Sequence, residues 1–351
     1  MFKITTDYMD NKEITIYDIA KRLNVSTATV SRSLNNHPAV SKKTKKKIED
    51  AAKEMGYRSN LFASNLRKRH THTLGVIIPK LNSSFVSSVL AGIESVASQS
   101  GYNLIIAQSH ENVKKEIENV KTLYNSRVDG LIASLAFDTK DISHFAPFFE
   151  KEIPVIFFDR VSHDQKGARI VIDNFKAGYE ATIHLIEQGC KRIAHITGNL
   201  SRNVYDDRLK GFKAALSEHN LPFQKEGIII NNLDEESTIA AAEQILALPT
   251  LPDGLFITND SCAAICMQKL KESGIRIPED MAIVGFNNDL ISRIIEPNIT
   301  TINYPGKEMG EIVAHQMVNH LEGISPMSLT NTIIINSELI IRGSSLKNNG
   351  K

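Results

Sequence analysis

The sequence predicts a small all-α head followed by a larger α/β body of two similar parallel-sheet lobes. Three short amphipathic helical patterns lie between residues 14 and 58, and a strand-helix-strand-helix-strand order occurs twice after residue 72. Residues 1–70 hold 15 Lys and Arg against 7 Asp and Glu, whereas the rest of the 351-residue chain holds 26 against 33. Clustered cations bind phosphates with release of counterions, so the basic head predicts a polyanionic partner.

Composition excludes several classes of protein. With 42% hydrophobic and 23% charged residues, the chain is typical of a globular protein. Its longest compact apolar run is "IPVIFF", and the first residues, "MFKITTDYMDNK", lack the apolar core of a signal peptide. We therefore expect a cytoplasmic protein that is neither exported nor membrane-spanning. Cys190, Cys262 and Cys266 have no CxxC spacing and are predicted to be small core residues, with no metal and no cofactor.

The first helix of the head is predicted in "ITIYDIAKRLNV". Thr15 is placed to cap its N-terminus, and Asn24 is suited to the left-handed turn that ends it. The apolar residues follow the i, i+3, i+4, i+7 spacing of one buried face: Ile16, Ile19, Ala20 and Leu23.

Two more helices complete the predicted head. Ser26 can cap the second helix after a link so short that the two helices must pack at a steep angle. Ser41 and Gly56 bound the third helix. The residues expected to face the shared core are Val30, Leu34, Ile48, Ala51, Ala52 and Met55.

The outward face of the second helix is short, polar and nearly flat, with one long cation, Arg32. Its residues are Thr27, Ala28, Ser31, Arg32 and Asn35. Small side chains let a helix lie deep in the DNA major groove, where an arginine can pair with guanine O6 and N7. The alternative is an ordinary solvent-exposed helix face.

The head resembles the helix-turn-helix DNA-binding domain of the lactose/galactose repressor (LacI/GalR) family. It has that family's "TxxDIAxxxxVSxxTVSRxLN" pattern, followed by "VSxxTxxxIxxAAxxxGY". The resemblance implies that the second helix reads the major groove. It also implies base or phosphate contacts at Tyr17, Ser26, Thr27, Ala28, Ser31, Arg32, Asn35 and Tyr57.

Residues 59–72 form a polar, basic connector that by composition alone is a disordered linker. The resemblance instead implies a hinge helix on DNA, with contacts from Asn60, Ala63 and Leu66. Leu66 would be the apolar wedge in the minor groove. Ser59 stands where the family usually has Pro, which predicts a less ordered hinge off DNA. Residues 1–13 are predicted to be a disordered extension without an assigned role.

An internal repeat defines the body, residues 73–345. "LGVIIP" and "VDGLIAS" in the first half match "RIAHITG" and "PDGLFIT" in the second, and Gly92 corresponds to Gly211. We assign residues 73–172 and 304–331 to the first lobe, and residues 173–303 and 332–345 to the second. Because ligands bind at the carboxyl ends of parallel strands, the two lobes predict a cleft between them.

Polar and aromatic side chains follow the predicted strands and are expected to line this cleft. They are Asn82, Phe85, Phe158, Asp159, Arg160, Arg202, Arg208, Asn259, Asp260, Asn287 and Asn288. Each could instead cap a loop. Together they suit a polyhydroxylated ligand, because carboxylate, amide and guanidinium groups can bind vicinal hydroxyls.

The family resemblance extends through the body, on "RLKGF", "TND", "IPEDMAIVGFN" and "PNITTI". It implies a periplasmic-binding-protein-like core that dimerises, with effector contacts at Asp159, Arg202, Arg208, Asn259 and Asn287. The family most often has Asp at position 287, so a relative's ligand does not transfer directly. The final residues, "SSLKNNGK", contain no leucine heptads, which predicts a homodimer.

These observations predict a sequence-specific transcriptional regulator, with repression as the expected sign of control. Its partners would be a pseudo-palindromic double-stranded operator and a small sugar-like effector, and it would not be an enzyme. Two alternatives use the same cleft. One is a carbohydrate-active enzyme with Asp159 and a second carboxylate. The other is a sugar-binding transport protein, which the basic head argues against.

Overall fold

The structure of the protein is a computed structural model that describes residues 14–57, 70–162, 167–327 and 332–347. It divides into two units, Met1–Thr71 and His72–Lys351. The predicted extension 1–13 and the predicted hinge contacts Asn60, Ala63 and Leu66 lie outside the described residues.

Three short helices form the head: α1 (Ile16–Leu23), α2 (Thr27–Leu34) and α3 (Lys42–Glu54). The hydroxyls of Ser26 and Ser41 accept hydrogen bonds from the amides of the third helical residues, which confirms both predicted caps. Asn24 ends α1 with φ of 52°, and Gly56 follows α3 with φ of 68°. Local signals therefore mark four of the six ends of these helices.

The head core receives one fully buried aliphatic side chain from each helix: Ile19, Val30 and Ile48. Half-buried residues surround them, among them Leu34 and Met55. This core is small, so it leaves most of α2 facing outward.

The second unit alternates strands and helices in two lobes. The first part contains β1 (Thr73–Ile78), α4 (Ser84–Gln99), β2 (Asn103–Gln108), α5 (Val113–Asn125), β3 (Gly130–Ala133), α6 (Ala146–Glu150), β4 (Val155–Phe158) and β5 (Ala168–Ile172). The next part contains α7 (Asn174–Glu187), β6 (Ile193–Thr197), α8 (Asn203–Glu218), β7 (Ile228–Ile230), α9 (Glu235–Leu246), β8 (Gly254–Ile257), α10 (Asp260–Glu272), β9 (Ala282–Asn287), α11 (Leu290–Ile294) and β10 (Thr300–Asn303). The last part contains α12 (Gly306–Leu321), β11 (Thr332–Ile335) and β12 (Glu338–Ile340).

Two six-stranded sheets confirm the predicted internal repeat. Their strand orders are β2-β1-β3-β4-β5-β11 and β7-β6-β8-β9-β10-β12, so each strand of one sheet has a counterpart in the other. All neighbouring strands are parallel except β12, which runs antiparallel to β10. Two neighbouring inner strands of each sheet are largely buried: β1 and β3 in the first sheet, and β6 and β8 in the second. They are buried because helices cover both faces of parallel sheets.

The assignment of residues 332–345 wholly to the second lobe is wrong for β11. This strand pairs in parallel with β5 and completes the first sheet, with Thr332 opposite Arg169. The chain returns to the first lobe through α12, and β11 then pairs with the free edge of β5. After β11 the chain crosses to the second lobe, where it forms β12. Ile333 and Ile335 pack against the core while Ile334 is 64% exposed, as expected at a sheet edge.

Cys190, Cys262 and Cys266 are all buried in the core of the second unit, as predicted. Within the described ranges, no helix is both long and apolar enough to cross a membrane.

Candidate functional site

The outward face of α2 presents the side chains predicted for it. Ala28, Arg32 and Asn35 are exposed, whereas Thr27 and Ser31 are half-buried. The guanidinium of Arg32 has no hydrogen bond or ion pair with any residue that the structure describes. This one long cation is therefore free to contact an external partner.

Two of the predicted contact residues also hold the ends of α2. Ser26 lies 2.8 Å from the Thr29 hydroxyl as well as capping the helix, and the side-chain amide of Asn35 donates to the Ser31 carbonyl oxygen at 2.8 Å. A ligand that contacts the Ser26 hydroxyl or the Asn35 side-chain amide must compete with, or add to, the hydrogen bond that this group already makes to the helix backbone. Ser26 and Asn35 are thus tied to the backbone more closely than Arg32 is.

The two predicted tyrosines differ in exposure. Tyr17, on α1, is 70% exposed. Tyr57 follows α3, is half-buried, and packs against the head core. Its packing leaves only part of the ring for an external contact.

A cavity of 290 Å³ lies between the two lobes of the second unit. Its walls come mainly from segments that follow the carboxyl ends of strands in both sheets, where the sequence placed the cleft. Seven of the eleven residues expected in this cleft line it: Asn82, Phe85, Asp159, Arg160, Arg208, Asn259 and Asn287.

Four other expected residues lie elsewhere. Arg202 lines a separate cavity, and Phe158 is fully buried in the core of the first lobe. Asp260 is fully buried, where it accepts hydrogen bonds from the Thr301 hydroxyl and an amide. Asn288 bonds to other residues of its own lobe. For Phe158, Asp260 and Asn288, an adjacent residue in the chain lines the cavity instead.

Asp159 follows strand β4 of the first lobe and is hydrogen-bonded to one residue of a stacked aromatic pair. It adopts a left-handed φ of 57° directly after β4, and its carboxyl accepts a hydrogen bond from the Tyr304 hydroxyl at 2.7 Å. The Tyr304 ring stacks on Phe85 with centroids 4.1 Å apart. Burial raises the pKa of Asp159 above its ordinary value, although Arg160 and the Tyr304 hydroxyl oppose this effect.

Arg208 is the buried cation of the cavity. Its Nε donates to Asn174 at 2.9 Å, one terminal nitrogen donates to the Thr258 carbonyl oxygen at 3.3 Å, and its guanidinium lies 3.5 Å from the Phe286 ring centre. Burial lowers the pKa of Arg208, but a guanidinium stays protonated at any pH at which the protein folds. These contacts hold the group rigidly, so its remaining donors point in a fixed direction.

Two asparagines offer amide groups from the second lobe. The Asn287 side chain donates to Asp289 at 3.3 Å, from a backbone with φ of 110°. Asn259 caps α10 through its oxygen, which accepts from the Cys262 amide. The capping bond leaves the nitrogen of Asn259 as the group that it can offer to a ligand.

Arg160 connects the lobes across the cavity. It binds both carboxylate oxygens of Glu111 in the first lobe, at 2.7 and 2.8 Å, and donates to the Tyr205 hydroxyl of α8 in the second lobe at 3.1 Å. Its guanidinium also lies 4.4 Å from the Phe137 ring centre. Arg160 therefore stabilises the present arrangement of the two lobes.

Sequence reasoning missed Tyr304, Glu111, Phe137 and Tyr205 in the cavity wall. Tyr304 directly follows β10, and Glu111 and Phe137 each follow a strand by three or four residues. Asp159 was predicted because ligands bind at the carboxyl ends of parallel strands, and the same reasoning predicts these three residues. Tyr205 lies in the first turn of α8, where only the packing of that helix shows its direction.

Comparison with known proteins places this geometry in a family. Residues 15–60 match the model of the bacterial regulatory proteins, lacI family, and residues 182–345 match a periplasmic binding protein-like domain. Catabolite control protein A of Priestia megaterium is 30% identical over 88% of this chain and 92% of the relative. The NTD biosynthesis operon regulator NtdR of Bacillus subtilis is 32% identical over 94% of this chain and 99% of the relative.

The chain belongs to the lacI family of bacterial regulatory proteins.

Solved structures agree with this membership of the lacI family. The Lac repressor dimer bound to operator and the anti-inducer ONPF superimposes with a TM-score of 0.84 at 25% identity, over 95% of this chain and all of that one. The transcriptional regulator CelR in complex with cellobiose gives a TM-score of 0.71 at 26% identity, with the same coverage. This lacI-family protein is therefore a DNA-binding transcriptional regulator with a helix-turn-helix head and a two-lobed α/β body.

Proposed function

We propose that this regulator represses transcription as a homodimer on a pseudo-palindromic operator and that a small sugar-like effector in the interlobe cavity controls it. Two identical heads of a symmetric dimer require two half-sites related by the same symmetry. The Lac repressor structure in the comparison is such a dimer on operator DNA. A protein that acts on the chromosome acts in the cytoplasm of a bacterium, and we propose that location on this ground.

For DNA recognition, we propose that Arg32 reads a base edge. It is the one long cation on the outward face of α2, and its guanidinium has no partner in the described part of the chain. The exposed Ala28 would let the helix approach the groove, and the polar residues around it would contact phosphates or bases. From the sequence resemblance alone, Leu66 of the hinge would be the minor-groove wedge.

The effector proposal rests on one cavity that combines a stacked aromatic pair with fixed polar groups. The Phe85–Tyr304 pair offers an apolar surface for a sugar ring, and Asp159, Arg208 and Asn287 offer an acceptor, donors and an amide for its hydroxyls. CelR in the comparison binds cellobiose, which supports a carbohydrate as the ligand class.

We further propose that the cavity binds its ligand without converting it. Two of the carboxyl groups that line the cavity are already engaged: Asp159 by the Tyr304 hydroxyl, and Glu111 by the Arg160 guanidinium. A glycosidase needs one carboxyl as acid and a second as nucleophile or base. Incubation with a panel of glycosides, followed by product analysis, tests this: release of any free sugar would favour the enzyme.

The effector site is tested by calorimetry with a panel of mono- and disaccharides, including cellobiose. For a sugar that binds the wild type, we expect Arg208→Met and Asn287→Ala each to weaken binding at least tenfold, because each removes a hydrogen bond to a desolvated ligand. Arg276→Ala is the matched control, since Arg276 is an exposed arginine of the same lobe paired with Asp280. Unchanged affinity in both cavity variants would show that the sugar binds elsewhere.

A further inference from the structure

A second cavity, of 170 Å³, lies between the lobes and shares no lining residue with the first. The first lobe contributes the segment 139–142 after β3 and residues 161–162 after β4. The second lobe contributes residues 200–203, which lead into α8, and Asp206 of its first turn. Both lobes thus form the walls, as they do for the first cavity.

Arg202, in the wall of this cavity, is a buried cation without a counter-ion. Arg202 is only 6% exposed, yet its guanidinium makes a single hydrogen bond, to the Thr139 carbonyl oxygen. Its Nε is buried and has no partner, and no carboxylate of the described residues lies within 4 Å of it. A guanidinium has five donors, and a buried charge is normally paired.

The charges around Arg202 are mixed. Burial, and after it the charge of Arg160, lowers the pKa of Arg202, whereas Glu116, Glu111 and Asp138 act in the opposite direction without forming an ion pair with the guanidinium. The two carboxylates of the wall are engaged elsewhere. Asp206 pairs with Lys210 at 2.7 Å, and Asp141 accepts hydrogen bonds from the amide and hydroxyl of Ser143.

The N-terminus of α8 adds donors and partial positive charge. This helix has 16 residues, and no side chain of the described residues caps its first turn. The Asn203 side chain, which stands at the first position, is instead bonded to the Val161 amide and the Asp159 carbonyl oxygen. An uncapped helix N-terminus binds oxyanions through its free amides and its dipole.

We propose that the second cavity binds a small phosphate-type oxyanion between the Arg202 guanidinium and the N-terminus of α8. The anion would accept hydrogen bonds from the terminal nitrogens of the Arg202 guanidinium and would contact residues of both lobes. Its binding therefore favours the lobe arrangement seen here over any arrangement that separates Thr139 from Arg202. This site is separate from the proposed effector site and does not depend on it.

Inorganic phosphate is the probe, titrated into the full-length protein at constant ionic strength with chloride as the balancing anion. We expect saturable binding by calorimetry and a melting temperature that rises with phosphate concentration, because a ligand of the folded state stabilises it. Equal melting temperatures in phosphate and chloride, with no binding heat, would overturn the proposal.

Four variants locate the site. Arg202→Gln should weaken phosphate binding at least tenfold, whereas Arg276→Gln, at an exposed arginine of the same lobe, should leave it unchanged. Ser201→Asp changes an exposed residue and places a carboxylate beside Arg202, so it should also abolish binding while keeping the fold. Ser201→Ala, which removes the same hydroxyl bond to the Phe137 carbonyl oxygen without adding a charge, should retain binding. The Ser201→Asp variant decides the question if Arg202→Gln fails to fold. Binding that survives Ser201→Asp but is lost in Arg208→Met would place phosphate in the first cavity and refute the proposal.

Discussion

Two arginines show how exposure divides one residue type between two tasks. Arg32 lies in water with no partner among the described residues, so its whole guanidinium fork is available for an incoming phosphate or guanine. Arg208 is 3% exposed and is held by Asn174, Thr258 and the Phe286 ring. It can offer a ligand only the donors that remain. The first arrangement suits readout of a large external partner, and the second suits a small enclosed one.

Arg32→Ala tests the readout. We expect a loss of roughly 1–3 kcal/mol in operator binding and weaker discrimination at one base position, because a bidentate arginine-guanine pair contributes about this much. Fluorescence anisotropy with single-base operator variants and with random DNA provides the measurement. An equal loss on operator and random DNA would mean that Arg32 contacts phosphate only.

His195 predicts a pH dependence of stability. Its ring stacks between Phe212 and Phe256, at 5.1 and 4.6 Å, and its Nδ1 donates to the Phe256 carbonyl oxygen at 3.0 Å. Burial lowers its pKa to about 3, despite that hydrogen bond. Between about pH 6.5 and 3 the unfolded chain therefore binds a proton that the folded chain does not, so stability falls as pH falls through this range.

The variant His195→Phe isolates this effect, because phenylalanine cannot be protonated. Relative to the wild type, the variant should become more stable, with a larger free energy of unfolding, as pH falls from 6.5 to 4, whatever the difference between the two at pH 7. Urea unfolding at several pH values measures both proteins. A difference that does not vary with pH would show that His195 is not buried as a neutral ring.

At the scale of elements, paired glycines set how closely the main helices cross. In the second lobe, a Cβ on Gly211 of α8 would lie 2.1 Å from the Phe175 carbonyl oxygen of α7, and one on Gly178 would lie 2.3 Å from the Arg208 carbonyl oxygen. In the first lobe, α4 and α12 meet in the same way at Gly92 and Gly310. The α7–α8 crossing brings Arg208 to Asn174 and so positions the cation of the effector cavity.

Gly211→Ala should therefore destabilise the protein by about 1–3 kcal/mol or more, because backbone must move to admit the methyl group. Gly227→Ala is the matched control. Its added Cβ would come no nearer than 3.6 Å to any other atom, so we expect little change. Chemical denaturation measures both. Similar stabilities for the two variants would contradict the close-crossing argument.

At the scale of the molecule, the start of α8 is the element that joins the lobes. Tyr205 accepts a hydrogen bond from Arg160, Asn203 bonds to residues 159 and 161, and the Ser201 hydroxyl donates to the Phe137 carbonyl oxygen at 3.0 Å. Any rotation of one lobe against the other must break or rearrange these bonds. An effector can change the lobe arrangement only through its different affinity for the alternatives.

Tyr205→Phe removes one of these interlobe bonds and keeps the ring. We expect effector affinity to fall about threefold to tenfold, in line with roughly 1 kcal/mol for one hydrogen bond. Tyr179→Phe is the control, since it removes an exposed tyrosine hydroxyl bonded to Glu218 within the same lobe. Calorimetry with the bound sugar compares them, and equal affinities for both variants would mean that this bond does not support the binding arrangement.

Much of the architecture is encoded locally. Ser26, Ser41, Asn24 and Gly56 mark the ends of the head helices because capping and left-handed turns depend on single residues and their immediate neighbours. The internal repeat likewise predicted the two lobes. The tendency of ligands to bind at the carboxyl ends of strands predicted that Asp159 of one lobe lies in the same cleft as residues of the other.

Packing decided the rest. Arg202 and Arg208 are six residues apart on one segment, yet they line different cavities, because the first precedes α8 and the second lies in the second turn of that helix. Asp260 follows Asn259 but points into the core, and β11 joined the first sheet because an edge of β5 was free. The sequence by itself determined the helix ends, the two lobes and the chemical types near the cleft. Only the tertiary structure decided which side chain faces which cavity, because that direction depends on how distant segments pack around it.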